Sequence, residues 1–370
     1  MRGLPPNRGA TYNFVALPTA WRPTMLKERD WSQASWVDPR YGWKPLPVPA
    51  VPPRVLLDLA TRCNMRCAMC PVWNTTDKQR LKQLSGVMPS DAVLRILDEI
   101  EASRAGVTVN VQPNMYGEPL LAPCLQECIH EVKGRQMALT MNTNGLTLDR
   151  RMAEFFVSEQ VDSILFSLDA ASPETFQRIR GLDCLDRIED AVRLMLEVRQ
   201  ERPLPRIGVT FTTQDSNRHE ETAFVEKWAG LVDVIRVGLV YENGTYPGMK
   251  TTGKRLCCPA LYTTIPIHHD GRVTVCCLDG FKTTDMGNVF ERGVLDVWHG
   301  EGFAKVRYFH ETGQWSQVPF CTRCNGWAQY CYEEETRGDL LVRRSPQYTY
   351  YNRLSRLQNW NENLLSRPAT

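Results

Sequence analysis

The sequence lacks a dominant charge and a long apolar stretch. Lys and Arg number 44 against 42 Asp and Glu, which gives a formal net charge of +2 over 370 residues. A chain so nearly balanced has no bulk attraction to nucleic acid or to an anionic membrane surface. No segment reaches the roughly 18 apolar residues of a membrane-spanning helix, and the N-terminus has no apolar core of signal-peptide type. We therefore expect a cytoplasmic protein that binds neither nucleic acid nor a membrane.

Cysteine, in contrast, is abundant, with 13 residues. An odd number cannot pair completely, and structural disulfides are disfavoured in a reducing compartment. Clustered cysteines in a cytoplasmic chain more often bind metal or take part in catalysis. The cysteines are therefore the first place to look for function.

The first 54 residues form an unusual extension, rich in proline and containing Trp21, Trp31, Trp36 and Trp43. Disordered tails are poor in aromatic residues. We therefore expect this extension to pack against the body of the protein, with its tryptophans as anchors.

Strand-like and helix-like segments alternate through the next part of the chain, residues 55–240. The segments with strand patterns are 55–60, 107–112, 137–143, 162–169, 206–213 and 232–240. Before one of the intervening helices, Ser172 is a candidate N-cap and Pro173 the first helical residue. Such alternation predicts an α/β fold with a parallel sheet, either open or curved into a partial (β/α)6 barrel. Functional groups of such folds lie at the C-terminal ends of the strands.

The pattern changes after residue 240. Residues 241–344 form a linker and a small C-terminal cysteine-rich module, which begins with a predicted hairpin at 262–277. His268 and His269 fall in this hairpin, where we expect a solvated turn rather than a metal site. Residues 345–370 read as a polar and aromatic tail, with a helix favoured near 352–360.

Three cysteines follow the first predicted strand directly, in the spacing C-x3-C-x2-C: Cys63, Cys67 and Cys70. Thiolates suit zinc or iron–sulfur clusters. A structural zinc site needs a fourth ligand, yet residues 71–89 contain neither Cys nor His. Three ligands leave one metal position open, and an open position is where a substrate or cofactor binds.

At this point the sequence resembles the radical S-adenosylmethionine (radical SAM) superfamily, whose signature is C-x3-C-x-φ-C with φ apolar; Met69 fills φ. Further motifs of the family follow the second, third and fourth strands in order. They are Gly117, Glu118 and Pro119; Thr143, Asn144 and Gly145; and Ser167, Leu168, Asp169 and Ala170.

The resemblance implies a specific chemistry. The three cysteines would hold a [4Fe-4S] cluster whose fourth iron binds S-adenosylmethionine, the GEP stretch would hold its amino group, and the later motifs would contact ribose and substrate. One electron, from an external donor such as flavodoxin or ferredoxin, would split the cofactor to a 5′-deoxyadenosyl radical that abstracts hydrogen from substrate. The cofactors supply this hard step, and the protein supplies binding and orientation.

The cysteine-rich module resembles the auxiliary-cluster domains called SPASM and twitch. This resemblance implies a second [4Fe-4S] cluster held by Cys258, Cys276, Cys321 and Cys324. The choice between Cys257 and Cys258, and between Cys276 and Cys277, stays open, and a zinc ribbon with the same four ligands is the alternative. After Cys331 no further cysteine follows, so a second auxiliary cluster lacks ligands.

Six cysteines remain outside both sets. Cys124, Cys128 and Cys184 are expected to pack as small hydrophobic residues. Three others lie near the proposed auxiliary cluster and are candidate hydrogen-atom donors to a substrate radical: Cys257, Cys277 and Cys331. Thr212 to Asp215 and Tyr241 to Asn243, which follow the fifth and sixth strands, are candidate substrate contacts.

Two substrate classes fit this resemblance. Twitch-type members modify aminocyclitols and sugars of antibiotics, whereas many SPASM members modify ribosomally made peptides. The short, proline-rich N-terminal extension does not resemble a leader-peptide-binding domain, so a small carbohydrate or aminocyclitol substrate is favoured over a peptide. Oxidation, epimerisation and decarboxylation of that substrate all stay open.

Overall fold

The structure is a computed structural model that describes residues 48–359, apart from 106, 243, 250–254, 256 and 331–332. The predicted docking of the N-terminal tryptophans therefore lies outside the described residues. Within the described part, no helix has both the length and the apolar character needed to cross a membrane.

Six parallel strands form the centre of the molecule and lie side by side in chain order. They are β1 (Arg54–Leu57), β2 (Asn110–Gln112), β3 (Ala138–Thr143), β4 (Ser163–Ser167), β5 (Arg206–Thr213) and β6 (Val234–Leu239). The predicted α/β fold with its parallel sheet is confirmed, and each predicted strand occurs within a few residues of its expected place.

Helices connect these strands and cover the sheet. They are α1 (Lys78–Leu84), α2 (Ser90–Ser103), α3 (Leu125–Gly134), α4 (Arg150–Ser158), α5 (Pro173–Arg180), α6 (Leu185–Arg199) and α7 (Glu221–Trp228). Helix α5 begins as predicted: Ser172 accepts a hydrogen bond from the Thr175 amide, and Pro173 is the first helical residue. Their apolar faces and the outward side chains of the strands form one continuous core.

The cysteine-rich module extends the sheet on the β1 side. A short helix, α8 (Ala260–Thr263), leads into β7 (Thr264–Ile267), which pairs in parallel with β1. The predicted hairpin follows, because β7 turns back into β8 (Arg272–Val273), and β9 (Gly287–Asn288) completes this edge. Three helices then return over the module: α9 (Val289–Arg292), α10 (Val294–Trp298) and α11 (Glu301–Glu311).

The C-terminal segment differs from the prediction. Residues expected to form a polar tail with a helix instead form an antiparallel meander of β10 (Glu333–Arg337), β11 (Leu340–Arg344) and β12 (Tyr348–Arg353), followed by a 3-10 helix at Leu354–Asn359. Strand β12 pairs with β6 and covers its edge. The aromatic and β-branched residues from Tyr348 to Tyr351 favour a strand, and pairing with an open sheet edge satisfies the backbone groups of this segment.

The inner face of the sheet carries many polar residues. The pairing registers place Asn110, Thr140, Ser163, Thr210 and Arg236 on the same face as Arg54, because successive strand residues alternate between faces. Residues within or directly after the six strands line one cavity of about 270 Å³. The sheet therefore curves around a polar interior at the C-terminal ends of its strands.

Candidate active site

The three clustered cysteines lie together on the loop after β1. Cys63, Cys67 and Cys70 all line the central cavity, and their charges act on one another. Burial raises the pKa of Cys63 from 9.0 to about 11 and also raises the pKa of Cys70. Thiols with raised pKa values, such as those of Cys63 and Cys70, need a bound cation to become thiolates, and iron can provide that charge.

Nitrogen donors are directed at two of these sulfur atoms. The Trp73 amide donates to Cys70 Sγ at 3.3 Å, and a guanidinium nitrogen of Arg180 donates to Cys67 Sγ at 3.4 Å. Donors of this kind stabilise negative charge on sulfur and tune the potential of iron–sulfur clusters. The residues present therefore fit a [4Fe-4S] cluster, although its ligation by these three cysteines stays a prediction.

Arg180 connects the cysteine loop to the end of β4. Its guanidinium forms a buried ion pair with Asp169 at 2.6 Å, and Asp169 also accepts a hydrogen bond from the Thr212 amide at 2.7 Å. Burial opposes the charge on Arg180, but Asp169 and Cys67 together raise its pKa. Sequence reasoning missed Arg180 because it lies at the end of α5, far from every motif, and no local pattern marks it.

The motifs after β2 and β3 are joined through one carboxylate. Glu118 is buried and accepts hydrogen bonds from the Thr143 hydroxyl at 2.5 Å and the Asn144 amide at 2.7 Å. Asn144 in turn donates its side-chain amide to Asn64 in the cysteine loop at 2.7 Å. Hydrogen bonds thus connect the cysteine loop with the loops after β2 and β3, which carry the motifs predicted from the sequence.

Gly117 allows the loop after β2 to lie close to the backbone of the cysteine loop. A Cβ atom at Gly117 would lie 1.6 Å from the carbonyl oxygen of Ala60, which is backbone and has no room to move. The amide of Glu118 donates to the Arg62 carbonyl at 2.7 Å across the same contact. Glycine at this position is what lets the loop after β2 lie directly on the cysteine loop.

We predict that Gly117→Ala destabilises the protein by about 3 kcal/mol, because the added methyl group overlaps backbone. Binding of S-adenosylmethionine should weaken as well, since the two loops separate. Gly134→Ala is the matched control: a Cβ there meets nothing within 4 Å, and alanine favours the helix it ends. Thermal unfolding of the anaerobic proteins, with and without S-adenosylmethionine, measures both effects. Equal melting temperatures for the two variants would show that the contact is not tight.

The base of the cysteine loop is held by a second small network. The Thr61 hydroxyl donates to Asp58 and also lies 2.9 Å from Nδ1 of His269. Burial raises the pKa of Asp58 from 3.8 to about 6 and lowers those of His268 and His269 to about 4. The expected solvated turn at the two histidines is therefore wrong: His268 is buried and the ring of His269 packs against Gly86.

The four predicted auxiliary ligands also lie near one another. The charges of Cys276, Cys321 and Cys324 act on one another or on Cys258. Amides again donate to sulfur, from Leu278 to Cys276 at 3.4 Å and from Gly326 to Cys324 at 3.3 Å. This donor set fits an iron–sulfur cluster. Among the described residues, no three Cys, His, Asp or Glu side chains are arranged to hold a single metal ion.

Cys257 and Cys277, which neighbour two predicted cluster ligands in the sequence, have different surroundings. The sulfur of Cys257 lies 3.6 Å from the hydroxyl of Tyr262, near Glu311. Cys277 is solvent-accessible, and its carbonyl accepts a hydrogen bond from Tyr116. Cys331 lies outside the described residues. The role of these three cysteines as hydrogen-atom donors stays a prediction.

Tyr116 stands between the two cysteine groups. Its hydroxyl donates to the Cys277 carbonyl at 2.6 Å, and its own carbonyl accepts from the Trp73 indole at 2.6 Å. Burial raises its pKa well above the usual range, and the nearby thiols of Cys277, Cys276 and Cys70 raise it further. The sequence analysis did not identify Tyr116 as a site residue; its position directly before the motif at Gly117 was the feature that could have indicated it.

Of the remaining residues predicted to contact cofactor or substrate, some line the cavity and others lie outside it. Met69, Ser167 and Thr212 line the cavity, and Pro119 begins a buried 3-10 turn below it. Asp215 is fully exposed beside Arg218, so it does not reach the cavity. The ring of Tyr241 lies against Tyr246 with centroids 5.0 Å apart, next to the auxiliary cysteines, which together with burial raise its pKa.

Comparison with known protein families agrees with both halves of the site. A model of the radical SAM superfamily matches residues 58–222, and a model of the iron-sulfur cluster-binding domain SPASM matches residues 257–325. The chain therefore contains a radical SAM domain followed by a C-terminal SPASM domain. More particularly, it is an enzyme whose first domain binds a [4Fe-4S] cluster and S-adenosylmethionine and whose second domain binds an auxiliary iron–sulfur cluster.

Two named relatives indicate the range of the family. The "tungsten-containing aldehyde ferredoxin oxidoreductase cofactor-modifying protein" of Pyrococcus furiosus is 26% identical, over 73% of this chain and 86% of its own length. A probable GTP 3′,8-cyclase of Saccharolobus islandicus is 32% identical, but the match spans 44% of this chain and 49% of the cyclase.

Solved structures share the fold at low identity. BtrN in complex with S-adenosylmethionine (AdoMet) and 2-DOIA has a TM-score of 0.52 at 15% identity, covering 75% of this chain and 94% of BtrN. SuiB of Streptococcus suis, bound to its precursor peptide SuiA, has a TM-score of 0.53 at 18% identity, covering 70% of this chain and 67% of SuiB. At these identities the likeness shows the fold alone.

Proposed function

We propose that this enzyme abstracts a hydrogen atom from a small carbohydrate or cyclitol-type molecule. The observation that carries the proposal is the interior of the sheet. The side chains that line its cavity are mostly polar and include Asn114, Asn142, Ser167 and Thr210. Neutral hydroxyl and amide groups of this kind bind the hydroxyls of a compact polar ligand. S-adenosylmethionine, when bound, supplies the radical that does the abstraction.

The residues of the chain have separate tasks in this proposal. Cys63, Cys67 and Cys70 would hold the cluster that binds S-adenosylmethionine, and the loop at Gly117 would lie against that cofactor. Arg180 contacts both Cys67 and Asp169, and so holds the cysteine loop against the end of β4. The inward strand residues would orient the substrate and exclude water, which determines the carbon that reacts.

The auxiliary cluster, in the same proposal, is held by Cys258, Cys276, Cys321 and Cys324. Cys258→Ala should lower the iron content from about eight to about four per chain, because one cluster loses a ligand. Cys257→Ala is a closely matched control, since its thiol faces Tyr262 instead. Iron and sulfide analysis after anaerobic reconstitution distinguishes them. Loss of iron in the Cys257 variant alone would reverse the assignment.

A peptide is the second candidate substrate, because SuiB, crystallised with a precursor peptide, shares the fold as closely as BtrN does. The Pyrococcus relative is named as modifying a cofactor, which favours a small molecule.

The test is to incubate the reconstituted enzyme with S-adenosylmethionine, an electron donor and two panels, one of sugars, cyclitols and their phosphates and one of peptides. We expect a member of the first panel to accelerate 5′-deoxyadenosine formation and, when deuterated, to transfer deuterium into it. Acceleration by peptides alone would contradict the proposal.

A further inference from the structure

A half-buried arginine, Arg255, lies beside the predicted auxiliary ligands. Its guanidinium donates hydrogen bonds to the Cys321 carbonyl at 2.7 Å and to the Thr322 carbonyl at 3.3 Å. The same guanidinium is 4.9 Å from the centre of the Trp315 ring. These contacts fix a positive charge against the loop that carries Cys321 and Cys324.

The groups whose charges favour a protonated Arg255 are cysteines. Burial lowers the pKa of its guanidinium, and the charges of Cys321, Cys324 and Cys258 oppose that change. Within the described part of the chain, no Asp or Glu forms an ion pair with Arg255. Because an arginine stays protonated in proteins, this half-buried cation needs an anion nearby. Neutral thiols do not supply that anion, whereas thiolates bound to an iron–sulfur cluster would.

A carboxylate that acts on the same cysteines is occupied elsewhere. The charge of Asp279 acts on Cys321. Its two carboxylate oxygens accept hydrogen bonds from the amides and hydroxyls of Thr283 and Thr284, at 2.7 to 2.9 Å. Asp279 therefore holds its own loop and does not neutralise Arg255.

Two buried nitrogen atoms in this region have no hydrogen-bond partner among the described residues. They are Nε of Arg255 and Nε2 of His310. The Cys258 amide donates to Nδ1 of His310 at 3.4 Å, so the proton of the neutral ring lies on Nε2. Sulfur atoms of a cluster accept hydrogen bonds from donors of this kind. The surroundings of the auxiliary cysteines therefore suit a group that is both negative and a hydrogen-bond acceptor.

We infer that Arg255 is a positioning residue that raises the reduction potential of the auxiliary cluster. Reduction adds one electron, and so one negative charge, to a cluster whose ligands stay the same. A guanidinium fixed next to the ligand loop stabilises this added charge, because the low dielectric of the interior strengthens their attraction. The cluster is then better suited to accept an electron than to donate one. The inference rests on the proposed function only in the four auxiliary ligands assigned there.

The test is the midpoint potential of the auxiliary cluster in the anaerobically reconstituted enzyme, from a dithionite titration followed by electron paramagnetic resonance. The auxiliary signal is the one that S-adenosylmethionine leaves unchanged. We expect Arg255→Gln to lower this midpoint by a shift of about tenfold in the reduction equilibrium, which equals about 59 mV for one electron. Arg255→Lys keeps the charge and should retain most of the wild-type midpoint.

Arg323→Gln is the matched control. Arg323 lies between Cys321 and Cys324 in the sequence, but its side chain is exposed, so water and salt screen its charge. Its loss should leave the midpoint unchanged. An equal fall in the midpoint for Arg323→Gln and Arg255→Gln would show that total charge, and not the fixed position of Arg255, determines the potential, and would overturn the inference.

An Arg255→Gln variant that holds about eight irons per chain and keeps the wild-type midpoint would also overturn the inference. If this variant does not hold the auxiliary cluster, Arg255→Lys decides. A loaded cluster in the lysine variant supports a role for the charge, whereas loss of the cluster there too would leave Arg255 a purely structural role. The proposed function fails separately, if the wild-type protein holds about four irons per chain and so lacks the auxiliary cluster.

Discussion

Cys67→Ala is expected to abolish reductive cleavage of S-adenosylmethionine, a loss of at least about a thousandfold in 5′-deoxyadenosine formation. Cys67 is buried at the centre of the cysteine loop, and its sulfur accepts the hydrogen bond from Arg180. Without this predicted ligand the cluster would lose one of its three attachments to the protein. Chromatographic assay of 5′-deoxyadenosine with excess dithionite measures the loss.

Two control variants separate this effect from a general loss of structure. Cys128→Ala removes a buried thiol from α3, far from both cysteine groups, and should retain nearly full cleavage. Cys321→Ala should retain some cleavage uncoupled from substrate, because it affects the auxiliary module. If Cys67→Ala and Cys321→Ala lose cleavage equally while both keep native circular dichroism, the two cysteine groups do not have the separate tasks assigned here.

Arg180→Leu is expected to have the largest effect on stability among single side-chain changes at the site, about 3–5 kcal/mol. It leaves the fully buried carboxylate of Asp169 without its 2.6 Å ion-pair partner. It also removes the donor to Cys67, so cleavage of S-adenosylmethionine should fall by about tenfold or more. The unfolding midpoint of the anaerobic protein should fall by about 10 °C.

Arg178→Leu, on the same helix, is the matched control. Arg178 is exposed and donates hydrogen bonds to Thr175 and the Ser216 carbonyl, so its loss should cost under about 1 kcal/mol. The double variant Arg180→Leu/Asp169→Asn removes both charges, keeps an oxygen acceptor for the Thr212 amide and tolerates the φ of 63° at residue 169, so it should recover part of the lost stability. If it is no more stable than Arg180→Leu alone, the unpaired Asp169 is not the source of the loss.

The sequence predicted those features of the fold and site that a single local rule determines. The strand-helix alternation predicted the parallel sheet, and Ser172 with Pro173 predicted the start of α5. The three-cysteine spacing predicted a grouped set of thiols, because residues so close in sequence on one loop remain close in space. Motifs placed after successive parallel strands must meet at one edge of the sheet, so Glu118 and Asn144 lie together as expected.

The sequence did not predict contacts between segments that lie far apart along the chain. Arg180 reaches Cys67 across 113 positions, and no local pattern records such a contact. The pairing of β12 with β6 was missed because a short strand near the C-terminus, rich in aromatic and polar residues, resembles a tail when read without its partner strands. His268 and His269 were expected in solvent because hairpin turns are usually exposed, but packing of this hairpin buries His268 and leaves His269 half-buried.

The direct test of the central claim, two cysteine-held clusters in one chain, is the iron content of the anaerobically reconstituted wild-type protein with its Mössbauer spectrum. The account predicts about eight irons per chain, all in [4Fe-4S] clusters, from three cysteines in one group and four in the other. S-adenosylmethionine should perturb the spectrum of one cluster and leave the other unchanged, because one group leaves a coordination position open. A content of about four irons per chain, all perturbed by S-adenosylmethionine, would contradict the claim and leave the auxiliary cysteines without a cluster.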